Sequence, residues 1–405
     1  MAEESDSKAS SRKGDQGQVT TGVRQKLNIN NLSQWMTQSS DLKESLCHHA
    51  IVTYLSNAAK LEAAMEIRQF GFGQSNPTYL LQVPNAQFAA VLRKKPNKVA
   101  HASAHKLDRE FRVLKALERH NQRNPHTVVP VPTPYAYCTD ERILGAEFYI
   151  MEYVEGRIFT DPMMAGLSKT ERRRAYEEIV LVLANLHRVD YIQVGLADFG
   201  SRGRYVERQL QRLLSVSRQQ SKLADKPVPE IEEIASRLSN YAPLCPNHVS
   251  LLHGDFKVDN IIFHPTEPKV IAILDWELST IGDSLCDVAN LSMMYFLPRE
   301  GVGISGIYGL DLESLAIPSR SHLLDMYCSF RPNISYSEGM KWSRFYLAFL
   351  FFKNCVIIQG VAQRAGSGVA SSSVADKVAK LLPAVIAMTK SILDDQVDSS
   401  LLSRL

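Results

Sequence analysis

The order of apolar and polar positions divides the chain into two parts. Between residues 61 and 152, short apolar runs typical of strands recur between turn-forming residues. Beyond residue 153, most apolar positions recur every three or four residues, which is typical of helices that bury one face. We therefore predict an α+β fold with a small antiparallel sheet in an N-terminal lobe, residues 26–152, and a larger, mainly helical C-terminal lobe, residues 153–395.

The two ends of the chain differ from these lobes in composition. Residues 1–25 are rich in small polar and charged residues and hold almost no large apolar side chain, so we expect them to be disordered. Residues 396–405 form a tail that ends in Ser403-Arg404-Leu405, similar to the Ser-Lys-Leu peroxisomal address. The tail predicts a peroxisomal protein that has the import receptor as a partner. If the tripeptide does not act as a targeting signal, we expect a cytoplasmic protein.

Composition excludes several classes of protein. The 46 basic and 43 acidic residues nearly balance, so no nucleic-acid surface is expected. The six cysteines lack paired or metal-ligand spacing and predict buried thiols in a reducing compartment. The longest apolar run in the C-terminal half, Phe345 to Phe352, is far shorter than the roughly eighteen residues of a membrane span, so no span is expected.

The strongest chemical signal lies between Leu251 and Glu277. Asn260 follows Asp255 by five positions, and Asp275 ends the next apolar strand. Phosphoryl transfer from ATP requires a carboxylate that accepts the proton of the attacking hydroxyl, and oxygen ligands that hold Mg²⁺. We predict Asp255 as the catalytic base and Asn260 with Asp275 as the Mg²⁺ ligands. Taken singly, each residue is also typical of a turn that caps backbone groups.

A turn rich in glycine and small polar residues separates two predicted strands, Ala64 to Phe70 and Thr78 to Val83. Glycine permits the backbone angles, and leaves the space, that let N–H groups approach phosphates. An ordinary hairpin loop is the alternative interpretation. The residues predicted to bind nucleotide here are Gly71, Gly73, Gln74, Ser75 and Asn76.

The next strand and helix predict a buried ion pair. Protein kinases place a phosphate-binding lysine on the third strand. Strand alternation puts Val91 and Arg93 on one face, so Arg93 is the predicted phosphate contact, with Lys94 as the alternative if a bulge shifts the register. Glu110 shares a helix face with Leu114, so we expect it to point inward and pair with Arg93, rather than face solvent.

A shift from apolar strand to polar turn follows at Met151 to Gly156 and predicts the hinge between the lobes. Backbone groups of Glu152, Tyr153 and Val154 are expected to bind adenine there. Asp198-Phe199-Gly200 has the same sequence as a metal-binding motif of protein kinases. It precedes the predicted catalytic loop, however, so we expect no metal at Asp198. His187, on an apolar helix, is predicted to be a packed core histidine.

His253-Gly254-Asp255 and the Trp276-Glu277 that follows Asp275 resemble the aminoglycoside phosphotransferase and choline kinase branch of the kinase-like superfamily. The resemblance implies a two-lobed protein-kinase-like fold and a small-molecule acceptor. It also implies supporting roles for His253 in the catalytic loop and for Asp287, which would brace that loop through backbone N–H groups.

Five stretches are also similar to the N-terminal kinase-like domain of acyl-CoA dehydrogenase family members 10 and 11: Phe70 to Tyr79, Val91 to Pro96, Glu147 to Arg157, His253 to Phe263 and Ile273 to Gly282. That family also carries arginine on the third strand. The resemblance implies an ATP- and Mg²⁺-dependent 4-hydroxyacyl-CoA kinase in fatty-acid catabolism, with a separate acyl-CoA dehydrogenase as partner. The basic residues of Arg202 to Lys222 would then meet the CoA phosphates.

Two other functions stay open at this point. One is a kinase for another small alcohol or amine, such as an aminoglycoside-like or choline-like metabolite. The other is a nucleotide-binding pseudokinase that acts as a scaffold for a dehydrogenase. Intact Asp255, Asn260 and Asp275 favour an active enzyme over this scaffold.

Overall fold

The computed structural model describes residues 20–21, 23, 26–71, 76–96, 106–299, 305–366 and 375–397. Within them, the N-terminal lobe contains a six-stranded antiparallel sheet in the order β1-β2-β3-β4-β6-β5, which confirms the predicted sheet. The strands are β1 (Thr20–Thr21), β2 (Glu66–Phe70), β3 (Thr78–Val83), β4 (Phe88–Lys94), β5 (Pro134–Cys138) and β6 (Phe148–Glu152).

The disorder predicted for residues 1–25 is wrong at strand β1. Thr20 and Thr21 pair with Phe70 and Gln69 at the edge of β2. This pairing joins them to a strand about fifty residues further along the chain. Composition alone therefore gave no signal for them. Apart from Val23, the other residues of this segment lie outside the described ranges.

Strand β4 lies in the middle of the sheet and keeps one register with both neighbours, β3 and β6. Because no bulge interrupts it, alternate residues face opposite sides of the sheet. Val91 and Arg93 face the space between the lobes, whereas the Lys94 side chain is buried, with 2% of its surface exposed. The alternative phosphate contact by Lys94 is therefore excluded.

Helices cover the two faces of this sheet differently. The apolar side chains of α1 (Ile29–Gln38), α2 (Ser40–Ser45) and α3 (Ala58–Ala64) form one core with one sheet face. Helix α4 (Leu107–Arg123) buries Val113, Leu114 and Leu117 in a second core, which continues into the C-terminal lobe. The short α5 (Glu141–Leu144) precedes β6. Helix α4 thus joins the lobes, although its residues fall inside the predicted N-terminal lobe.

The C-terminal lobe is mainly helical and holds two small sheets. Strands β7 (Arg157–Ile158), β9 (Ile261–Phe263) and β10 (Val270–Ile273) form one sheet, and β8 (Val249–Leu252) pairs with β11 (Thr280–Asp283). These strands hold the segments around Asp255 and Asp275. The helices are α6 (Lys169–Arg188), α7 (Tyr205–Ala224), α8 (Pro229–Tyr241), α9 (Leu285–Ser292), α10 (Arg320–Phe330), α11 (Tyr336–Gly366), α12 (Ala375–Ala379) and α13 (Leu382–Val397).

Helix α11 is longer than its apolar run predicts. In the described part of the chain it is the one helix that is long and apolar enough to cross a membrane, since an 18-residue window within Tyr336–Ala365 has a mean hydropathy of 1.6. However, 67% of that apolar window is buried inside the fold, where the helix packs against α7, α9 and α13. Its apolar side chains are thus accounted for by the core of the lobe.

Candidate active site

A buried carboxylate holds the loop between β8 and β9. Asp287, on α9, has no exposed surface and accepts the backbone N–H groups of His253 and Gly254 at 2.7 and 2.9 Å. His187 Nε2 lies 3.3 Å from the same carboxylate. Burial by itself raises the pKa of Asp287, but its contacts with His187 and the loop N–H groups lower it on balance. An ionised Asp287 therefore fixes the loop backbone.

The residues that flank Asp255 are also fixed. Gly254 has φ +86, and a Cβ there would lie 2.3 Å from the carbonyl oxygen of Leu278, so only glycine fits. His253 Nδ1 accepts the Asp255 N–H at 3.2 Å, which leaves Nε2 to donate to the Leu274 carbonyl at 2.7 Å. His253 thus connects the loop that carries Asp255 to the strand end before Asp275.

Asp255, Asn260 and Asp275 come together at one end of the space between the lobes. Asn260 Nδ2 donates to the Asp255 backbone oxygen at 2.9 Å and lies 3.3 Å from its carboxylate. This contact turns the Asn260 amide oxygen away from Asp255. Asp275 has φ +65, a left-handed conformation that costs a non-glycine residue about 1 kcal/mol or more. Such strain is typical of residues whose side-chain direction matters for function.

The donor set of this cluster suits Mg²⁺. In the described residues, no group of three or more His, Cys, Asp and Glu side chains is placed to hold a metal. Asp275 and Asn260 supply a carboxylate and an amide oxygen. Mg²⁺ in phosphoryl-transfer sites takes one or two protein oxygens and completes its shell with water and phosphate oxygens. The two side chains therefore fit a magnesium ion that arrives with a nucleotide.

Across the cleft, the ion pair predicted between Arg93 and Glu110 is present. Arg93 Nε lies 3.1 Å from Glu110 Oε2, and Arg93 Nη2 lies 3.1 Å from Asp275 Oδ1. Glu110 also accepts from Asn76 Nδ2 and Tyr149 OH, each at 3.0 Å. Burial alone would lower the pKa of Arg93, but the charges of Glu110 and Asp275 raise it above its usual value. The guanidinium is therefore a permanent cation beside Asp275.

A cavity of about 320 Å³ between the lobes leads to this cluster. One end is lined by apolar side chains, among them Val91, Leu114, Met151 and Ile273, and the other end by Arg93, Asn260 and Asp275. An apolar slot that ends in charged groups suits a planar base joined to phosphates.

The predicted hinge residues Glu152, Tyr153 and Val154 line the apolar part of this cavity. The backbone N–H of Glu152, however, donates to the Thr133 carbonyl at 2.8 Å. The Glu152 carboxylate accepts from the Thr133 N–H and hydroxyl at 3.0 and 2.8 Å. This N–H is therefore not available to adenine, and the adenine contacts of the other backbone groups of Glu152, Tyr153 and Val154 stay predictions.

The glycine-rich turn is described only at its ends. Gly73, Gln74 and Ser75 lie outside the described residues, so their nucleotide contacts stay predictions, as does that of the exposed Gly71. The Asn76 side chain is fully buried and supports Glu110. The glycine-rich turn gave no indication of this role, because it depends on a helix 34 residues further along the chain.

Sequence reasoning missed two lysines beside Asp255. Lys257 Nζ lies 3.4 Å from the carboxylates of both Asp255 and Asp259. Burial lowers the pKa of Lys257, but these carboxylates raise it on balance. Lys353, on α11, donates to the Gly254 carbonyl at 2.9 Å. In the sequence, Lys257 stands out only as a cation two positions after Asp255. Lys353 stands out as a charged residue inside an apolar helix.

The remaining expectations for the C-terminal lobe are resolved by geometry. Asp198 is exposed, pairs with Arg112 and is not among the residues that line the cavity. His187 is buried between Tyr327 and Asp287, as predicted for a core histidine. In the basic segment, Arg218 pairs with Glu232. Part of the charge predicted to meet CoA phosphates is thus neutralised within the protein.

Comparison with known proteins agrees with this geometry. Residues 66–315 match the model of the phosphotransferase enzyme family. The chain belongs to this family. The phosphotransferase is 39% identical to acyl-CoA dehydrogenase family member 10 of Mus musculus over 317 residues and to member 11 of Homo sapiens over 338 residues. The alignments cover 78% and 81% of this chain but 28% and 41% of those relatives. The chain thus spans less than half the length of either.

Solved structures place the phosphotransferase in the same fold. A candidate aminoglycoside phosphotransferase from Ralstonia eutropha is 32% identical, with a TM-score of 0.70 over 91% of this chain and 99% of that one. More distant likenesses are the aminoglycoside phosphotransferase APH(4)-Ia in complex with ADP and hygromycin B, and choline kinase from Cryptosporidium parvum. The first is 13% identical, with a TM-score of 0.52 over 82% of this chain and 95% of that one. The choline kinase is 14% identical, with a TM-score of 0.55 over 84% of this chain and 93% of that one.

Fold and family together confirm the predicted two-lobed kinase-like architecture and the reaction class. The protein is a member of a phosphotransferase family and has the fold of a solved relative. The pseudokinase scaffold is correspondingly disfavoured. What the family leaves open is the phosphoryl donor, the metal and the acceptor.

Proposed function

We propose that the protein is an ATP- and Mg²⁺-dependent kinase that phosphorylates the hydroxyl of a hydroxyacyl-CoA, with a 4-hydroxyacyl-CoA as the leading candidate. The observation that carries the chemistry is that Asn260 and Asp275 line the charged end of the cavity and that Asn260 contacts Asp255. The similarity of most of the chain to part of acyl-CoA dehydrogenase family members 10 and 11 supports the acceptor.

The cavity supports ATP as the donor. Its apolar end suits adenine, and Arg93 is a partly buried cation at the end where phosphates would lie. An aminoglycoside phosphotransferase of the same fold has been solved with ADP. Asn260 and Asp275 would hold Mg²⁺. When bound, this ion would neutralise charge that develops on the phosphate oxygens.

The protein groups around Asp255 support its role as base. The acceptor hydroxyl gives its proton to the Asp255 carboxylate while its oxygen forms a bond to the γ-phosphorus, and the bond from that phosphorus to the ADP oxygen breaks. Asp287 and His253 hold the Asp255 backbone during this step. Lys257, within 3.4 Å of Asp255, places positive charge where the transferred group carries negative charge.

The charges near Asp255 are of both signs. Lys257 and Lys353 put two ammonium groups at the catalytic loop. The carboxylates of Asp255 and Asp259 offset the charge of Lys257. These charges therefore do not distinguish an acyl-CoA from a cationic acceptor, and the similarity to acyl-CoA dehydrogenase family members 10 and 11 is what supports the acyl-CoA.

A mass-spectrometric screen tests the proposal. Purified protein is incubated with Mg²⁺-ATP and a pool of hydroxyacyl-CoA thioesters that differ in chain length and hydroxyl position, and a parallel pool contains choline, ethanolamine and aminoglycosides. We expect one phosphate added to a hydroxyacyl-CoA and matching release of ADP. Phosphorylation confined to the second pool would overturn the acyl-CoA acceptor, and nucleotide binding without transfer to either pool would favour the scaffold.

A further inference from the structure

Three arginines of α4 attach to one short segment of the C-terminal lobe, residues 194–199. Arg109 Nη2 donates to the Phe199 carbonyl at 2.7 Å, and its guanidinium lies 3.8 Å from the centre of the Phe199 ring. Arg112 donates to the Gly195 carbonyl at 2.8 Å and pairs with Asp198. Arg119 donates to the Val194 carbonyl at 2.9 Å. Residues 194–199, which include Asp198 and Phe199 of the Asp198-Phe199-Gly200 motif, therefore anchor α4.

Arg109 differs from the other two because of its surroundings. It immediately precedes Glu110, the partner of Arg93. Its Nη2 also lies 3.5 Å from the Ser279 carbonyl, four residues beyond Asp275. Asp275 in turn contacts Arg93. Arg109 thus joins the two segments whose carboxylates, Glu110 and Asp275, both bind Arg93.

Given the proposed ATP-dependent function, we propose that Arg109 is a positioning residue that sets the place of Arg93 for the nucleotide phosphates. Arg93 lies on a strand of the N-terminal sheet, whereas α4 packs in the core that continues into the C-terminal lobe. The geometry of the Arg93 guanidinium therefore depends on how firmly Glu110 is held against that lobe. Arg109, next to Glu110 in the sequence, makes such a contact through the Phe199 carbonyl.

The anchor is rigid enough for this role. The Phe199 side chain is buried, with 2% of its surface exposed, and packs in the large core. A planar guanidinium can stack on the ring and donate in its plane to two carbonyls at once, which an ammonium group cannot do. Arg109 is therefore expected to be poorly replaced by lysine.

Nucleotide affinity tests the proposal independently of any acceptor. The full chain is prepared as wild type, Arg109→Met, Arg109→Lys and Arg119→Met, and the Kd for Mg²⁺ with a non-hydrolysable ATP analogue is measured by calorimetry. We expect Arg109→Met to raise Kd on the order of tenfold, the effect of one charged hydrogen bond. Arg109→Lys should restore only part of the affinity. Arg119→Met is the matched control, since it removes a similar contact nine residues away from Glu110, and its Kd should stay within about twofold of wild type.

Two further readouts separate positioning from general loss of structure. Melting temperatures should fall to a similar extent in Arg109→Met and Arg119→Met, while KM for ATP rises only in the first. An unchanged Kd in Arg109→Met, or an equal rise in Arg119→Met, would overturn the positioning role and leave the ATP-dependent function intact. Wild-type protein that binds no nucleotide would overturn both.

Discussion

Replacing Glu110 with leucine should destabilise the protein strongly, because it removes one partner of a buried ion pair. Glu110 has 1% of its side chain exposed and Arg93 has 13%. The change leaves the Arg93 guanidinium with Asp275, which is 36% exposed, and with the charge of Glu277 nearby. Breaking a buried pair costs about 3–5 kcal/mol. Because Asp275 still compensates in part, we expect the lower end, about 3 kcal/mol of unfolding free energy.

A second substitution distinguishes the cost of an unpaired charge from the cost of lost packing. Arg93→Met in the Glu110→Leu background replaces the pair with two apolar side chains, so stability should recover by about 2 kcal/mol. Activity should not recover, since no cation remains for the phosphates. The control is Glu118→Leu, on the same helix, where the partly exposed pair with Lys115 predicts a change below about 1 kcal/mol.

Urea denaturation followed by circular dichroism gives the free energies of unfolding for wild type, both single variants, the double variant and the Glu118 control. The reasoning is refuted if Glu110→Leu costs less than about 1 kcal/mol, or if the double variant is less stable than Glu110→Leu alone. Either result would mean that Glu110 does not compensate the charge of Arg93.

Three further changes test the catalytic loop and its supports. Asp287→Asn places an amide NH₂ group against a backbone N–H of the loop. Steady-state kinetics should then show a kcat that falls on the order of tenfold to a hundredfold, with little change in KM for ATP. Lys353→Met frees the Gly254 carbonyl and should lower kcat by about tenfold, whereas Lys390→Met, which breaks an exposed pair with Glu233, should not. Burial raises the pKa of Asp283 to about 6, above the unfolded value of about 3.9. Its stabilising contribution is therefore complete below pH 4 and is lost as the pH rises through 6. Between pH 4 and pH 7, urea denaturation should show wild type losing about 2 kcal/mol more stability than Asp283→Asn.

The parts of the site that the sequence predicts well are those set by local geometry. Asp255, Asn260 and Asp275 lie within 21 positions of one another, and two short strands and their turns fix their arrangement. Strand alternation was sufficient to place Arg93 on the cavity face, and helical spacing was sufficient to turn Glu110 inward. Each of these inferences needs only the period of one element.

The parts that the sequence did not predict depend on contacts between distant segments. Lys353 reaches Gly254 across 99 positions, and Arg109 reaches Phe199 across 90. Thr20 and Thr21 become a strand only because the edge of β2 is available to them. The Glu152 N–H is used by Thr133 through sheet pairing. The period of one element does not record these contacts, because distant segments form them, and only Lys353 leaves a trace in the sequence, as a charge inside an apolar helix.

The central claim is that Asp255 accepts the proton in phosphoryl transfer to a hydroxyacyl-CoA. Single-turnover formation of the phosphorylated thioester, followed by mass spectrometry, tests it with wild type, Asp255→Asn and the exposed control Asp225→Asn. We predict that Asp255→Asn forms product about 10²- to 10⁴-fold more slowly, with the nucleotide Kd unchanged, and that the control matches wild type. Product formation by Asp255→Asn at the wild-type rate would contradict the account.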